Sequence, residues 1–241
     1  MTRGDHKRSA WGGPSDEPRR PSFDHAAARR LREALGMTHS DVGYGMWAAY
    51  GVQVAAATLA ARENGDDLPT ELQLQALAGA LWCAPGDLLD APATLREYRA
   101  ARGMAPMDLA LRIGMSPEAY EQMELSGRWT GTERQTAELV KALALPLPTY
   151  VEVTGRSEKL TELLRLAVET RWQMYVRPVT GLVPMPRPHI ERLLKQLQAD
   201  YHARLPAPHS GASTGGSIGP DAKAFLNDIV DHFWRRADRS C

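Results

Sequence analysis

Three segments of this chain occur twice, in the same order, and that repetition restricts the fold more than composition does. RLREALGM (residues 30–37) is matched by EYRAARGM (residues 97–104), each a helix-like run punctuated by Gly and then Met. VAAATLAARENG (residues 54–65) parallels MSPEAYEQMELSG (residues 115–127). LPTELQLQALAGALWCAPGDLL (residues 68–89) follows the pattern of TGTERQTAELVKALALPLPTYV (residues 130–151), with Thr70-Glu71 matching Thr132-Glu133. The first pair is offset by 67 residues and the second by 61, so the earlier copy carries about six extra residues, near WAAYGV (residues 47–52). Chance alignment of two Ala- and Leu-rich helical stretches is the alternative, and the preserved order argues against it.

Each copy reads as a set of short helices. In the second, Thr94 caps a helix that runs through Arg102 and stops at Gly103, and a helix from Met107 to Ile113 ends at Gly114. Ser116-Pro117-Glu118 then supplies a hydroxyl cap, a proline at the first helical position and an acid in the first turn. Thr132-Glu133 opens a fourth helix, and LPLPTYVEV (residues 145–153) a short fifth. In the first copy, Trp47 and Tyr50 fall on the extra segment, expected to be a loop between the second and third helices.

Five short helices with a Gly-containing turn between the second and third resemble the helix-turn-helix domain of the phage-repressor Cro/C1, or XRE-type, family. The resemblance rests on Gly103-Met104, Asp108-Leu109-Ala110, Gly114-Met115-Ser116, Tyr120, Met123, and Glu124 ahead of Gly127. In the first copy it rests on Gly36-Met37, Asp41-Val42, Leu59, Glu63-Asn64-Gly65 and Pro69-Thr70. It implies an all-α chain of two tandem five-helix repressor-like modules followed by amphipathic carboxy-terminal helices. It also implies that the third helix of each module enters the major groove of double-stranded DNA.

Carried onto module two, the reading face is Ser116, Pro117, Glu118, Glu121 and Gln122, with Arg112, Arg128 and Arg134 as phosphate clamps. Gln can pair with adenine and Glu can accept from cytosine N4, but two carboxylates in a groove meet phosphate repulsion. Trp129 is open to two readings, packing on a sugar or wedging between helices. Module one presents Ala56, Ala57, Ala60 and Ala61 at the matching positions, with Arg62 where the family keeps an apolar residue. From residue 31 to residue 93 two arginines stand against eight carboxylates, a net −6, a poor basis for neutralising phosphates. Module one is therefore expected to be a degenerate copy and a packing surface.

The expected organisation is a disordered leader (residues 1–24), the degenerate module (25–93), the XRE-type module (94–155), a basic helical region (156–204), a flexible linker (205–220) and a terminal amphipathic helix (221–241). The basic region has a net +4, two apolar helical stripes and a proline-punctuated connection with a short extended pair around Thr180-Gly181. The terminal helix aligns Phe225, Ile229, Phe233 and Trp234 on one stripe, which folds back on the middle helices or pairs with a second copy in a homodimer.

Over the whole 241 residues, 29 basic and 29 acidic side chains cancel, so any nucleic-acid surface must be local. Two cysteines without ligand spacing argue against a disulfide framework or a zinc site and suit a reducing cytoplasm. No run is long and apolar enough for a membrane span. Enzyme chemistry lacks support, since no phosphate loop, H-E-x-x-H or G-x-S-x-G occurs. Asp228, Asp231 and His232 read as the wet face of the last helix rather than as metal ligands. The expectation is thus a cofactor-free DNA-binding transcriptional regulator. The alternative is a protein-interaction scaffold, or an antagonist of another regulator, built on degenerate modules.

Overall fold

The computed structural model describes residues 23–205 and 219–238. The described residues are all-helical, with no strand among them. The chain begins with α1 (His25–Ala34), α2 (His39–Tyr50), α3 (Ala56–Glu63), α4 (Glu71–Ala80) and a 3-10 turn (Pro85–Leu88). There follow α5 (Leu95–Ala101), α6 (Pro106–Ile113), α7 (Pro117–Ser126), α8 (Glu133–Leu143) and α9 (Leu147–Val153). Then come α10 (Ser157–Glu169), a second 3-10 turn (Trp172–Tyr175), α11 (Val176–Leu182), α12 (Arg187–His202), α13 (Pro220–Asn227) and α14 (Ile229–Asp238).

Local chemistry sets most of these boundaries. Thr38, Thr70, Thr94 and Thr132 each close a reciprocal capping box with Asp41, Gln73, Glu97 and Gln135, satisfying orphan amides at four helix starts. Gly51, Gly114 and Gly127 take the left-handed conformation that ends α2, α6 and α7.

Two hydrophobic cores result. Phe23, Val42, Met46, Leu59, Leu74 and Leu88 fill the first, inside α1 to α4. The second starts among α5 to α9 with Leu109, Ile113, Tyr120, Leu139 and Tyr150, and continues without a break into α10 to α14 through Leu164, Leu193 and Phe233. The fifth to ninth helices are therefore one half of a larger packed body.

Several expectations change. Residues 1–22 of the leader lie outside the described residues, but Phe23 and Asp24 belong to the fold. Phe23 is buried and bridges to Leu89, and the Asp24 carboxylate caps α1 by accepting from the Ala27 amide at 2.8 Å. Trp47 and Tyr50 lie on the last turn of α2 rather than on a loop. The extended pair around Thr180-Gly181 is replaced by α11, because Val176 and Val179 are buried on one helical face. Arg156 satisfies that helix's last carbonyls, donating to Gly181 O at 3.2 Å and Leu182 O at 2.9 Å.

Of the expected linker, residues 206–218 lie outside the described residues, and Pro220 is already the first residue of α13. The single terminal helix is two helices. Arg165 Nε takes up the Leu226 carbonyl at 3.2 Å, a group an unbroken helix would have used internally. Both seat on α10 and α12, where Arg236 pairs with Asp200 and the Arg204 guanidinium lies 4.7 Å from the Phe225 ring centre. Phe225, Ile229 and Phe233 are buried in the chain's own core and Trp234 is half-buried against it. That stripe is accordingly covered from within the chain and not held out to a dimer mate.

No helix among the described residues is long and apolar enough to cross a membrane.

Candidate nucleic-acid interface

Helix α6 begins with Pro106 at its first position and ends at Gly114, whose φ of +72° turns the chain sharply. Ser116 then accepts from the Ala119 amide at 3.3 Å, Pro117 supplies the first helical residue, and α7 runs on to Gly127. The turn between the two helices is held from outside by Gln135 of α8, whose amide donates to Gly114 O at 2.9 Å.

Behind α7 lies a buried ionic centre. Arg99 of α5, 1% exposed, donates to Glu124 through Nε at 2.8 Å and Nη2 at 3.3 Å, and through Nη1 to the Met104 carbonyl at 2.6 Å. Its remaining reach goes to Glu71, the first residue of α4, through Nη1 and through Nη2 at 3.1 Å. Burial opposes the charge on Arg99, but the two carboxylates more than offset it and raise its pKa. Burial also raises the Tyr120 hydroxyl, aided by the Glu124 charge, so the phenol stays protonated and donates to Glu124 at 3.4 Å. Glu124 is thus an anchor that fixes α7 on α5.

The opposite side of α7 is open. Ser116, Glu118, Glu121 and Gln122 are exposed and Pro117 is half-buried. Leu125, one turn beyond Gln122, is 70% exposed on the same face. Sequence reasoning missed Leu125, although its position seven residues after Glu118 places it on that stripe. Arg112 at the end of α6, Arg128 just after α7 and Arg134 in the first turn of α8 are all exposed. None of these three guanidinium groups has a hydrogen bond or ion pair among the described residues. The eight sequence-chosen residues thus lie on α6, α7, the step after α7 and the first turn of α8; two of them, Glu118 and Glu121, are carboxylates beside three arginines.

Trp129 is not available for a sugar contact. It is buried, and its indole nitrogen donates to Thr136 at 2.7 Å. Gly131 is required beside it, since a Cβ there would come within 2.4 Å of the indole ring.

In the first half of the chain the same inner geometry recurs around α3. Arg32 donates to Glu63 through Nε at 2.7 Å and Nη2 at 2.8 Å, and through Nη1 to the Met37 carbonyl at 3.0 Å. His39 lies 3.1 Å from the same carboxylate, and Arg29 donates to the Glu63 carbonyl at 3.1 Å. The outer surface differs. Ala57 is exposed while Ala56, Ala60 and Ala61 are half-buried, and no side chain caps the start of α3. Arg62 is buried, held by Asp67 at 2.9 Å and Gln73 at 2.7 Å. Tyr44, Trp47 and Tyr50 line the exposed side of α2, the first two with ring centres 5.9 Å apart.

Among the described residues no group of three or more His, Cys, Asp or Glu side chains is placed to hold a metal ion. Burial, reinforced by Asp87, pushes the Cys83 thiol up to about 11, so it is no ready nucleophile near neutral pH. Comparison of the chain with models of protein families, with curated proteins and with solved structures returned no match.

Proposed function

We propose that this chain is a DNA-binding transcriptional regulator in which α6 and α7 form an XRE-type helix-turn-helix, with α7 as the reading helix. The observation that carries this reading is that Arg112, Arg128 and Arg134, at the end of α6, just after α7 and in the first turn of α8, are exposed and have no partner among the described residues. Cations with no internal partner at the ends of adjacent helices are suited to phosphate oxygens on either side of a groove. Ser116, Glu118, Glu121 and Gln122 would then meet base edges, with Leu125 suited to a thymine methyl.

The two halves of the chain are read as a duplication of one five-helix module. Arg99 and Met104 stand 67 residues after Arg32 and Met37, and Glu124 stands 61 after Glu63, the same two offsets as the matched segments. The six-residue difference corresponds to the extra turn of α2 and the Gly51-Val52 step after it. In this reading module one keeps the frame and has lost the reading surface.

The test is recovery of genomic fragments bound by the full chain, followed by titration of a selected site at several salt concentrations. Affinity should fall steeply with salt, Arg128→Ala should weaken all sequences alike, and Gln122→Ala should relax preference at one position by about 1–3 kcal/mol. Absence of retention on duplex DNA even at low salt would sink the proposal. A second reading, an interaction module for another protein, is favoured by the exposed aromatic side of α2 and would then take its place.

A further inference from the structure

A cleft of about 420 Å³ opens between the start of α8, the start of α10, α11 and the start of α12. Its size falls in the range of small-molecule sites, roughly 300–1,000 Å³. Three guanidinium groups, from Arg156, Arg177 and Arg187, line it against a single carboxylate, Glu133. Arg156 is half-buried, and its hydrogen bonds go only to the carbonyls of Trp129, Gly181 and Leu182. Its charge therefore has hydrogen-bond acceptors but no carboxylate among them. Arg177 has no side-chain partner among the described residues. Arg187 is bonded to Glu191 at 2.9 Å, but both side chains are exposed, and such pairs hold weakly.

Like charges gathered in a partly desolvated cleft repel one another unless an anion joins them. The planar guanidinium offers paired donors matched to phosphate and carboxylate oxygens. The cleft wall contains no aromatic ring on which a base could stack, and the hydroxyls of Thr136 and Thr180 complete a polar lining. We propose that this cleft binds a compact polyanion carrying at least two phosphoryl or carboxylate groups, independently of whether α7 reads DNA.

The test is calorimetric titration of the full chain, in the absence of DNA and at low salt, with pyrophosphate and in parallel with citrate. Saturable binding at one site is expected, and the better of the two probes identifies the preferred anionic group. Arg177→Gln should weaken it by roughly tenfold or more, the scale of a lost charge-assisted contact. Gly181→Glu provides a second variant. Gly181 lies within α11 with open space around the added Cβ, so the substitution is free of steric conflict there and places a carboxylate at the cleft. It should weaken binding to a similar degree while the far-UV spectrum and thermal midpoint stay near wild type. Arg171→Gln, an exposed position outside the cleft, should change nothing. No saturable heat with either probe overturns the proposal, as does equal binding by all variants. So does an Arg177→Gln defect seen with duplex DNA alone, which would assign the cleft to the nucleic-acid backbone.

Discussion

Helices α1 to α4 and helices α5 to α9 share an inner design and differ in almost everything that faces outward. Each half has an arginine, buried in the second and half-buried in the first, that grips a glutamate at the end of its third helix and a methionine carbonyl five residues on. The first half then closes on itself around its own core, whereas the second shares its core with the carboxy-terminal helices. The first exposes aromatic rings on a longer α2 and has a largely half-buried row of alanines on α3, whereas the second exposes Glu118, Glu121 and Gln122 on α7 and unpaired arginines on α6, on α8 and just after α7. What the difference teaches is that the frame and the working surface are separable. A shared inner frame does not fix what faces outward, so the function of each half must be argued from its surface.

The largest expected effect probes that frame. Arg99→Leu strips the cationic partner from Glu124 and leaves Glu71 only the more exposed Arg96, at 3.4 Å, and should cost about 4–5 kcal/mol, the upper end for breaking a buried ion pair. Arg32→Leu should cost about 2–3 kcal/mol, because Arg32 is more exposed and His39 remains beside Glu63. Urea unfolding followed by circular dichroism measures both, and equal losses would break the asymmetry.

Acid titration sharpens it. Burial opposes ionisation of Glu63 and Glu71, but Arg32 and Arg99 hold both carboxyls below the ordinary value of 4.5. A carboxyl depressed in the folded state contributes stability that is fully present above its unfolded pKa. That contribution is lost as pH falls from about 4.5 through the folded values. Glu71→Gln should flatten the part of this decline that comes from the contact between α4 and α5. An unchanged acid limb would mean that the bond between α4 and α5 carries no stability.

A somewhat smaller effect tests the separateness of the cores. Phe233 is fully buried on α14, and Phe233→Ala should destabilise the second core by about 3–4 kcal/mol. Amide exchange should accelerate in α8, α10 and α12 and stay unchanged in α2 and α4. Equal acceleration in α2 and α4 would show that the cores unfold as one.

The sequence disclosed the parts of this architecture that rest on local chemistry. Thr94, Ser116 and Thr132 as caps, and Gly103 and Gly114 as stops, could be read because capping involves residues three or four apart. The candidate face of α7 was legible for the same reason, through the spacing of Glu118, Glu121 and Gln122. What could not be read depends on distant partners. VRPVTGL looks unhelical in isolation and becomes α11 because Arg156, 25 residues earlier in the chain than Gly181, satisfies its carbonyls. The split between α13 and α14 depends on Arg165, 61 residues from the Leu226 carbonyl it takes. Glu71 looked like an ordinary first-turn acid, and nothing near it in sequence points to Arg99.

The smallest effect isolates one point at which the two frames diverge. Thr70-Gln73 and Thr132-Gln135 form the same reciprocal cap, with the glutamine oxygen accepting from the threonine amide at 3.0 Å and 2.9 Å. Losing such a cap costs roughly 0.5–1 kcal/mol at an exposed site, and Gln135→Ala should cost little more, because the Gly114 carbonyl that its amide also holds is exposed and water can replace that bond. Gln73 has a second duty, because the same oxygen accepts from Arg62 Nη2 at 2.7 Å. Arg62 is buried with its Nη1 already lacking a partner, so removing Gln73 leaves a second nitrogen unsatisfied. Gln73→Ala should therefore cost about 1–2 kcal/mol more than Gln135→Ala. The position 61 residues after Arg62 is Met123, an apolar side chain packed against the second core. Arg62→Met makes the first half like the second at this point, and a buried charge replaced by an apolar residue of similar volume is often tolerated. In an Arg62→Met background the Gln73→Ala cost should fall to the Gln135→Ala value. If it stays high, the additional cost belongs to the helix cap itself and not to the buried arginine.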